Sequence, residues 1–178
     1  MIKNYRIPYV FFLLSIGILS GCSVKFNLTG GTVDPRLQTL SVETFGNEAP
    51  IVVPFLAIEV TNQLQDRFLS QSRLSLTTGD ADVQISGRIT NYAITPVAIS
   101  ASSDPNQERF TASQNRLTIA ISVKFDNTID PNESWEQSFS GFVDFNSELD
   151  FASIERDRVD EILEQLTQDV FNKSIGKW

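Results

Sequence analysis

Three stretches of this sequence alternate apolar and polar residues with a period of two, and that pattern limits the folds open to the chain. They span residues 82–91, 116–125 and 135–145. Successive side chains of a β-strand point to opposite sides of a sheet, so each stretch predicts a strand with one apolar face. A sheet buried on both faces would instead show near-continuous apolar runs. The sequence therefore predicts a sheet that is covered on one side and open on the other.

Two segments with helical spacing supply the cover. Pro54 suits the first turn of a helix, and the residues after it place an apolar set on one broad face. That set is Phe55, Ile58, Val60, Leu64, Phe68 and Leu69. The C-terminal segment repeats the spacing with Ile154, Val159, Ile162, Leu163, Leu166, Val170 and Phe171. Asp150 or Ser153 is expected to cap the start of this second helix.

A weaker strand over residues 37–45 precedes the first helix, which gives the order β-α-β-β-β-α. Two amphipathic helices suffice to cover one face of about four strands. The strand-helix-strand start favours a parallel neighbour for the first strand, and the turn at residues 130–133 joins two antiparallel strands. We therefore predict an α+β two-layer sandwich, with a mixed sheet of about four strands and two helices on one face.

The N-terminus has the features of an export signal. Lys3 and Arg6 precede an apolar run over residues 7–19, which is too short for a transmembrane helix of about 20 residues. The small residues Ser20 and Gly21 then lead to the only cysteine, Cys22. This segment is similar to a bacterial lipobox, in which the chain is cut between Gly21 and Cys22 and the cysteine is fatty-acylated. The alternative is an ordinary signal peptide with a chance cysteine.

The anchor implies a division of the chain into three parts. Residues 1–21 are the expected lipoprotein signal peptide, residues 22–36 the lipidated N-terminus and tether, and residues 37–178 the folded domain. Ser23 follows the cysteine instead of Asp, which resembles an outer-membrane sorting signal. No acidic residue occurs in 23–27, so the periplasmic leaflet is favoured over the cell surface.

Composition excludes several classes of function. The sequence has no histidine, and its one cysteine is assigned to the anchor, so Ser-His-Asp and Cys-His catalysts, zinc sites and disulfide exchange are not expected. From Cys22 onward the chain holds 12 basic and 22 acidic residues, a net charge of −10, which disfavours nucleic acid. We expect no enzyme activity, no cofactor and no metal site.

The open face is the remaining candidate for function. Its predicted basic and aromatic residues are Arg88, Arg116, Lys124, Tyr92 and Phe142. In the simpler interpretation the basic side chains are solvated and paired with neighbours such as Glu136 and Asp144, which discourages edge-to-edge pairing. In the alternative, the face recognises an anion or docks a protein.

With these elements placed, the chain resembles the LptE family of lipopolysaccharide-assembly lipoproteins, in its Bacteroidetes-like form. Short phrases along nearly all of the mature chain carry the resemblance: residues 21–24, 26–31, 40–42, 61–68, 82–89 and 169–174. No catalytic signature is among them.

The resemblance implies a partner and a place. Members of this family sit at the outer membrane and form a complex with the LptD β-barrel, assisting its folding and helping lipopolysaccharide reach the outer leaflet. Arg88, Arg116 and Lys124 are then candidate contacts to lipopolysaccharide or to the partner. Two other functions stay open: a binding module for another envelope machine, such as a peptidoglycan synthase activator or a secretion pilotin, and a hydrolase that uses paired carboxylates.

Overall fold

The computed structural model describes residues 34–97 and 114–175. Six strands and two long helices occur in this part of the chain. They are β1 (Thr39–Val42), β2 (Gly46–Asn47), α1 (Leu56–Gln71), β3 (Ser75–Leu76), β4 (Val83–Val97), β5 (Gln114–Asn127), β6 (Trp135–Asn146) and α2 (Phe151–Ser174). A 3-10 turn, Pro131–Glu133, separates β5 from β6. The α+β fold with two helices and a mixed open sheet is confirmed.

The strands form one sheet in the order β3-β1-β4-β5-β6, with β2 pairing to β4 beyond the end of β1. β1 is parallel to β3 and to β4, and β4, β5 and β6 form an antiparallel meander. The parallel first strand and the meander are both as predicted. β2 and β3 were not predicted because two residues are too few to show a period.

A β-bulge in β4 overturns one expectation about the open face. The pairing of β4 with β5 shifts between Ile89 and Asn91, and a shift of one residue moves the following side chains to the other face. Tyr92 was expected on the open face and is instead only 3% exposed on the covered face. Its hydroxyl donates to Oε1 of Glu155 on α2 at 2.7 Å. Burial, and then the bond to Glu155, raise the pKa of Tyr92.

The hydrophobic core lies between the sheet and the two helices. The helices run in the same direction, since Gln63 and Arg67 of α1 contact Asp160 and Gln168 of α2. Large side chains that are fully buried come from both layers: Phe68, Phe125, Leu40, Ile85, Ile119, Ile121, Ile162 and Leu163. Within the described residues, no helix has the length and hydropathy needed to cross a bilayer.

The buried side of α1 is narrower than predicted. Ile58 and Leu69 were placed on it but are 60% and 37% exposed. Leu56 and Thr61 are buried in the same helix. Thr61 is tolerated there because its hydroxyl donates to the Ala57 carbonyl and accepts from the Phe45 amide, which satisfies the polar group.

Polar side chains fix the ends of the elements. Asp150 caps α2 by accepting from the Ala152 amide at 3.3 Å, as one of the two predicted alternatives. Asp82 accepts from the amides of Gln38 and Thr39, both at 2.9 Å, which ties the start of β1 to the start of β4. These two backbone hydrogen bonds lower the pKa of Asp82.

Candidate functional site

The open face is formed by alternate side chains of β4, β5 and β6, on the side of the sheet opposite the core. The registers place these side chains in rows across the three strands. One row holds Arg88, Ser122 and Ser138, and a row nearer the other end holds Thr95, Arg116 and Asp144. Because register decides which residues become neighbours, the composition of these rows follows from the pairing.

Arg88 lies toward one end of the open face, between two acidic side chains. Its Nε is 3.3 Å from Glu48 and its Nη1 is 3.9 Å from Glu136. Glu48 is brought there because Gly46 of the short strand β2 pairs directly with Arg88. The Arg88 side chain remains 46% exposed, so water and solutes reach its guanidinium.

Arg116 is held more tightly. It donates from Nε and Nη2 to the two carboxylate oxygens of Asp144, at 2.7 and 2.8 Å. The guanidinium carbon also lies 3.9 Å from the ring centroid of Phe142, a cation–π contact. The hydrogen bond from Arg116 lowers the pKa of Asp144, and the same bond raises the pKa of Arg116.

Lys124 pairs within its own strand. Its Nζ lies 2.6 Å from Oδ2 of Asp126, and this hydrogen bond raises the pKa of Lys124. All three predicted basic residues therefore stand beside carboxylates, and Glu136 and Asp144 are among them as expected. An anion that binds here has to compete with those carboxylates.

The structure does not bring the three basic residues into one cluster. Arg88 and Lys124 occupy neighbouring rows, because Arg88 pairs with Ser122, two residues from Lys124 on β5. Arg116 is six residues from Ser122 along the same strand, a separation of about 20 Å at ~3.3 Å per residue. The two ends of the open face therefore act independently.

A band of small, uncharged residues separates these ends, and the sequence alone did not single it out. Its members are Asn91, Ala93, Thr118, Ala120 and Ser140. Phe142, which was predicted on this face, stands at its margin and is 54% exposed. The band is visible only once the register of three strands is known, because its members come from separate segments of the sequence.

The groove between the two helices differs from the open face because most of its charged side chains are acidic. Two shallow depressions of about 320 and 440 Å³ lie there, lined by acidic and amide side chains together with Arg67. Gln63 donates to both Glu59 and Asp160, at 3.3 and 3.4 Å. Burial, and then the charges of Glu59 and Asp157, raise the pKa of Asp160. An amide thus bridges the two carboxylates of Glu59 and Asp160.

The predicted lipidation site is Cys22, after cleavage behind Gly21. Gly21 and Cys22 fall outside the described residues. The chain enters the described domain at Asp34, whose carboxylate accepts from the backbone and side chain of Arg36.

Solved structures with a similar fold include two with very different sequences. A neuraminyllactose-binding hemagglutinin homolog from Helicobacter pylori is 14% identical, with a TM-score of 0.53, and the match covers 83% of this chain and 88% of that one. The protein CT253 from Chlamydia trachomatis is 9% identical with a TM-score of 0.51, and the match covers 77% of this chain and 95% of that one. At these identities the likeness concerns the fold alone.

The comparison with protein families shows more than a shared fold. No curated protein matches the chain. The model of a family described as LptE, lipopolysaccharide-assembly, matches residues 37–174, which include both helices and all six strands. Since this match spans more than half of the sequence, the chain belongs to the LptE family of lipopolysaccharide-assembly proteins.

Proposed function

We propose that this protein is an outer-membrane lipoprotein that forms a complex with the LptD-type β-barrel. In that complex it assists assembly of the barrel and the insertion of lipopolysaccharide into the outer leaflet. The observation that carries the proposal is the family match over residues 37–174. The family is one of non-enzymatic lipoproteins, so the function proposed is binding and assembly.

The polarity of the domain surface supports a position inside a barrel. The interior of a large outer-membrane barrel is polar and holds water. The open face offers serine, threonine and paired charges, and the groove between the helices offers acids and amides. We place the open face, whose charges are paired, against the barrel wall, and the acidic groove between the helices toward the water that the lumen holds.

The proposed anchor sets an upper limit on the distance between the domain and the membrane. Acylation of Cys22, after cleavage behind Gly21, adds about 0.8 kcal/mol of membrane affinity per buried methylene, so two or three chains hold the protein durably. Asp34 lies twelve positions after Cys22 in the sequence. Fully extended, that tether reaches roughly 40 Å, at 3.3–3.6 Å per residue. We place the domain on the periplasmic side.

Among the three basic candidates, Arg88 is the best placed to contact lipopolysaccharide. Its distances to Glu48 and Glu136, 3.3 and 3.9 Å, are longer than the 2.7 Å of the Arg116–Asp144 pair. Phosphate is a strong acceptor of guanidinium hydrogen bonds and competes best where the existing pair is loosest. Lys124 in the neighbouring row supplies a second positive charge, whereas Arg116 is committed to Asp144 and Phe142.

Copurification tests the proposed partner. The full-length protein, tagged at its C-terminus and made in its own host, is extracted in mild detergent, and its partners are identified by mass spectrometry. We expect one large outer-membrane β-barrel of the LptD type in near-stoichiometric yield, and fatty acid attached at residue 22. Recovery of a peptidoglycan synthase or a secretion channel instead, or an unacylated Cys22, refutes the proposal.

A matched pair of variants tests the proposed lipid contact. Arg88→Ala should weaken binding of purified lipopolysaccharide, whereas Arg73→Ala, which removes an exposed arginine from the segment after α1, should leave it unchanged. Binding is measured by fluorescence competition in detergent. Equal loss in both variants would reduce the effect to net charge, and no loss in Arg88→Ala would eliminate this residue.

A further inference from the structure

The outer edge of β6 is long and lacks the features that usually prevent the pairing of another strand. β6 spans twelve residues, Trp135–Asn146, and no strand in residues 34–97 and 114–175 pairs with its outer side. The opposite edge strand, β3, has only two residues. Natural proteins protect edges with short strands, bulges, proline or lysine. Residues 137–143 carry neither a charge nor a proline, and the pairing of β6 with β5 runs without a shift.

The phase of the hydrogen-bond ladder identifies the groups that point outward. The Thr128 amide donates to the Asp82 carbonyl at 2.9 Å, so residue 128 directs its backbone groups toward β4. Along an antiparallel strand this direction alternates, so odd-numbered residues of β5 direct theirs toward β6. Their partners in β6 are also odd-numbered. The amides and carbonyls of Ser138, Ser140 and Phe142 therefore point away from the sheet.

We propose that this edge accepts an extended strand from another protein, which adds to the sheet beside β6. Main-chain hydrogen bonds supply the affinity in this mode of binding, and alternate side chains supply the selectivity. On the covered side the added strand meets Phe139 and Val143, and on the open side it meets Ser138, Ser140 and Phe142. A fitting segment alternates apolar residues with small polar ones.

Charge disfavours a second copy of this chain as the occupant. A two-fold axis that centres the uncharged stretch on Ser140 places Glu136 of one copy opposite Asp144 of the other, since each lies four residues from the centre. Like charges directly opposite one another destabilise a strand pair. The net charge of −10 on each mature chain adds to this repulsion. The occupant is therefore a different chain, neutral or basic opposite Glu136.

This inference rests on the chemistry of the edge and does not depend on the proposed barrel partner. A peptide therefore tests it without that partner. The probe is a fluorescein-labelled nine-residue peptide of alternating valine and threonine with lysine at both ends. The control is the same peptide with every second backbone nitrogen methylated, which removes hydrogen-bond donors and blocks pairing. Binding to the full mature chain in detergent is followed by fluorescence anisotropy.

One substitution removes an outward amide from the edge itself. Ser140→Pro deletes an N–H that the ladder to β5 does not use, and proline is tolerated at such edge positions. Ser140→Ala keeps the amide and is the matched control. We expect equal affinity for wild type and Ser140→Ala, and binding about tenfold weaker or more for Ser140→Pro and for the methylated peptide. Circular dichroism verifies the fold of each variant.

Several results would overturn the inference. The first is that the unmodified peptide fails to bind wild type at millimolar concentration, or that the methylated peptide binds wild type as well as the unmodified one does. The second is that correctly folded Ser140→Pro binds the unmodified peptide with wild-type affinity. The third is that sedimentation shows a dimer of the wild type that the Ser140→Pro substitution dissociates, because a second copy would then be the occupant of the edge. The methylated peptide needs no variant, so the test stands even where Ser140→Pro unfolds the domain.

Discussion

The two faces of the sheet are built from the same three strands and have opposite characters. On the covered face, Ile85, Ile121 and Val123 are fully buried against the helices. On the open face, the alternate positions hold serine, threonine and charges that are paired across or along strands. The covered face therefore determines the fold, whereas the open face remains accessible to a partner.

The same substitution in the helices that pack on the covered face and on the open face should have the most unequal effects. Phe68→Ala removes a fully buried ring that packs edge-to-face on Phe171 at 5.1 Å, and should cost about 3–5 kcal/mol of unfolding free energy. Phe142→Ala removes a half-exposed ring whose main partner is Arg116, and should cost less than about 1 kcal/mol. Urea denaturation measures both. Similar losses would contradict the division of roles between the faces.

A second pair of variants separates rigid from adaptable packing on the covered face. A Cβ atom at Gly87 would lie 2.5 Å from the Phe45 ring and 2.5 Å from the Ser122 carbonyl oxygen. Gly87→Ala should therefore cost about 1–3 kcal/mol or more, because a backbone atom cannot yield. At Gly141 the close atoms belong to the flexible side chains of Ile162 and Leu166. Gly141→Ala should cost clearly less in the same denaturation experiment.

The bond between Tyr92 and Glu155 joins the sheet to α2 and should have a smaller effect. Tyr92→Phe keeps the ring and deletes the hydroxyl, so it should cost about 0.5–1.5 kcal/mol, the usual net contribution of an intramolecular hydrogen bond. If Tyr92→Phe lost more unfolding free energy than Phe68→Ala, the hydroxyl would belong to a network larger than the pair of Tyr92 and Glu155.

The raised pKa of Tyr92 adds a dependence on pH. The folded protein holds the tyrosine proton more tightly than the unfolded chain, so this contribution is complete below the ordinary pKa of 10.0 and is lost as the pH rises above it. Wild type should therefore lose stability above pH 10 more steeply than Tyr92→Phe. Thermal melts across that range provide the measurement.

The smallest effect is expected for the ion pair on the open face. Arg116 lowers the pKa of Asp144, so the stabilisation is present above the ordinary pKa of 3.8 and is lost as the pH falls through the lower folded value. Asp144→Asn should flatten the acid side of the stability profile only slightly, since exposed ion pairs contribute little. High salt should reduce the difference between variant and wild type.

Much of the fold follows from sequence periodicity, and the exceptions have physical causes. The alternation in residues 82–91 predicts β4 up to the bulge, but the pairing with β5 shifts after Ile89 and exchanges the two faces for the residues that follow. Tyr92 was therefore assigned to the wrong face. Ile58 was assigned to the core because helical spacing gives the direction of an apolar face but not its width, and Ile58 is 60% exposed.

The sequence predicted less of the candidate site than of the fold. Alternation placed Arg88, Arg116, Lys124 and Phe142 on one face, but their neighbours depend on register. The contact of Arg88 with Glu48 requires the two-residue strand β2, which has no sequence signature. The free edge of β6 depends on strand order, which hydrophobic periodicity does not encode.

Photo-crosslinking in native membranes tests most directly whether the open face meets the barrel while the helices support it. A photoreactive amino acid replaces Lys124 on the open face or, as the control, the exposed Gln165 on α2. The proposal predicts an adduct with the LptD-type β-barrel from position 124 at several times the yield from position 165. Equal yields, or no barrel adduct from position 124, would contradict the assignment of the open face as the partner surface.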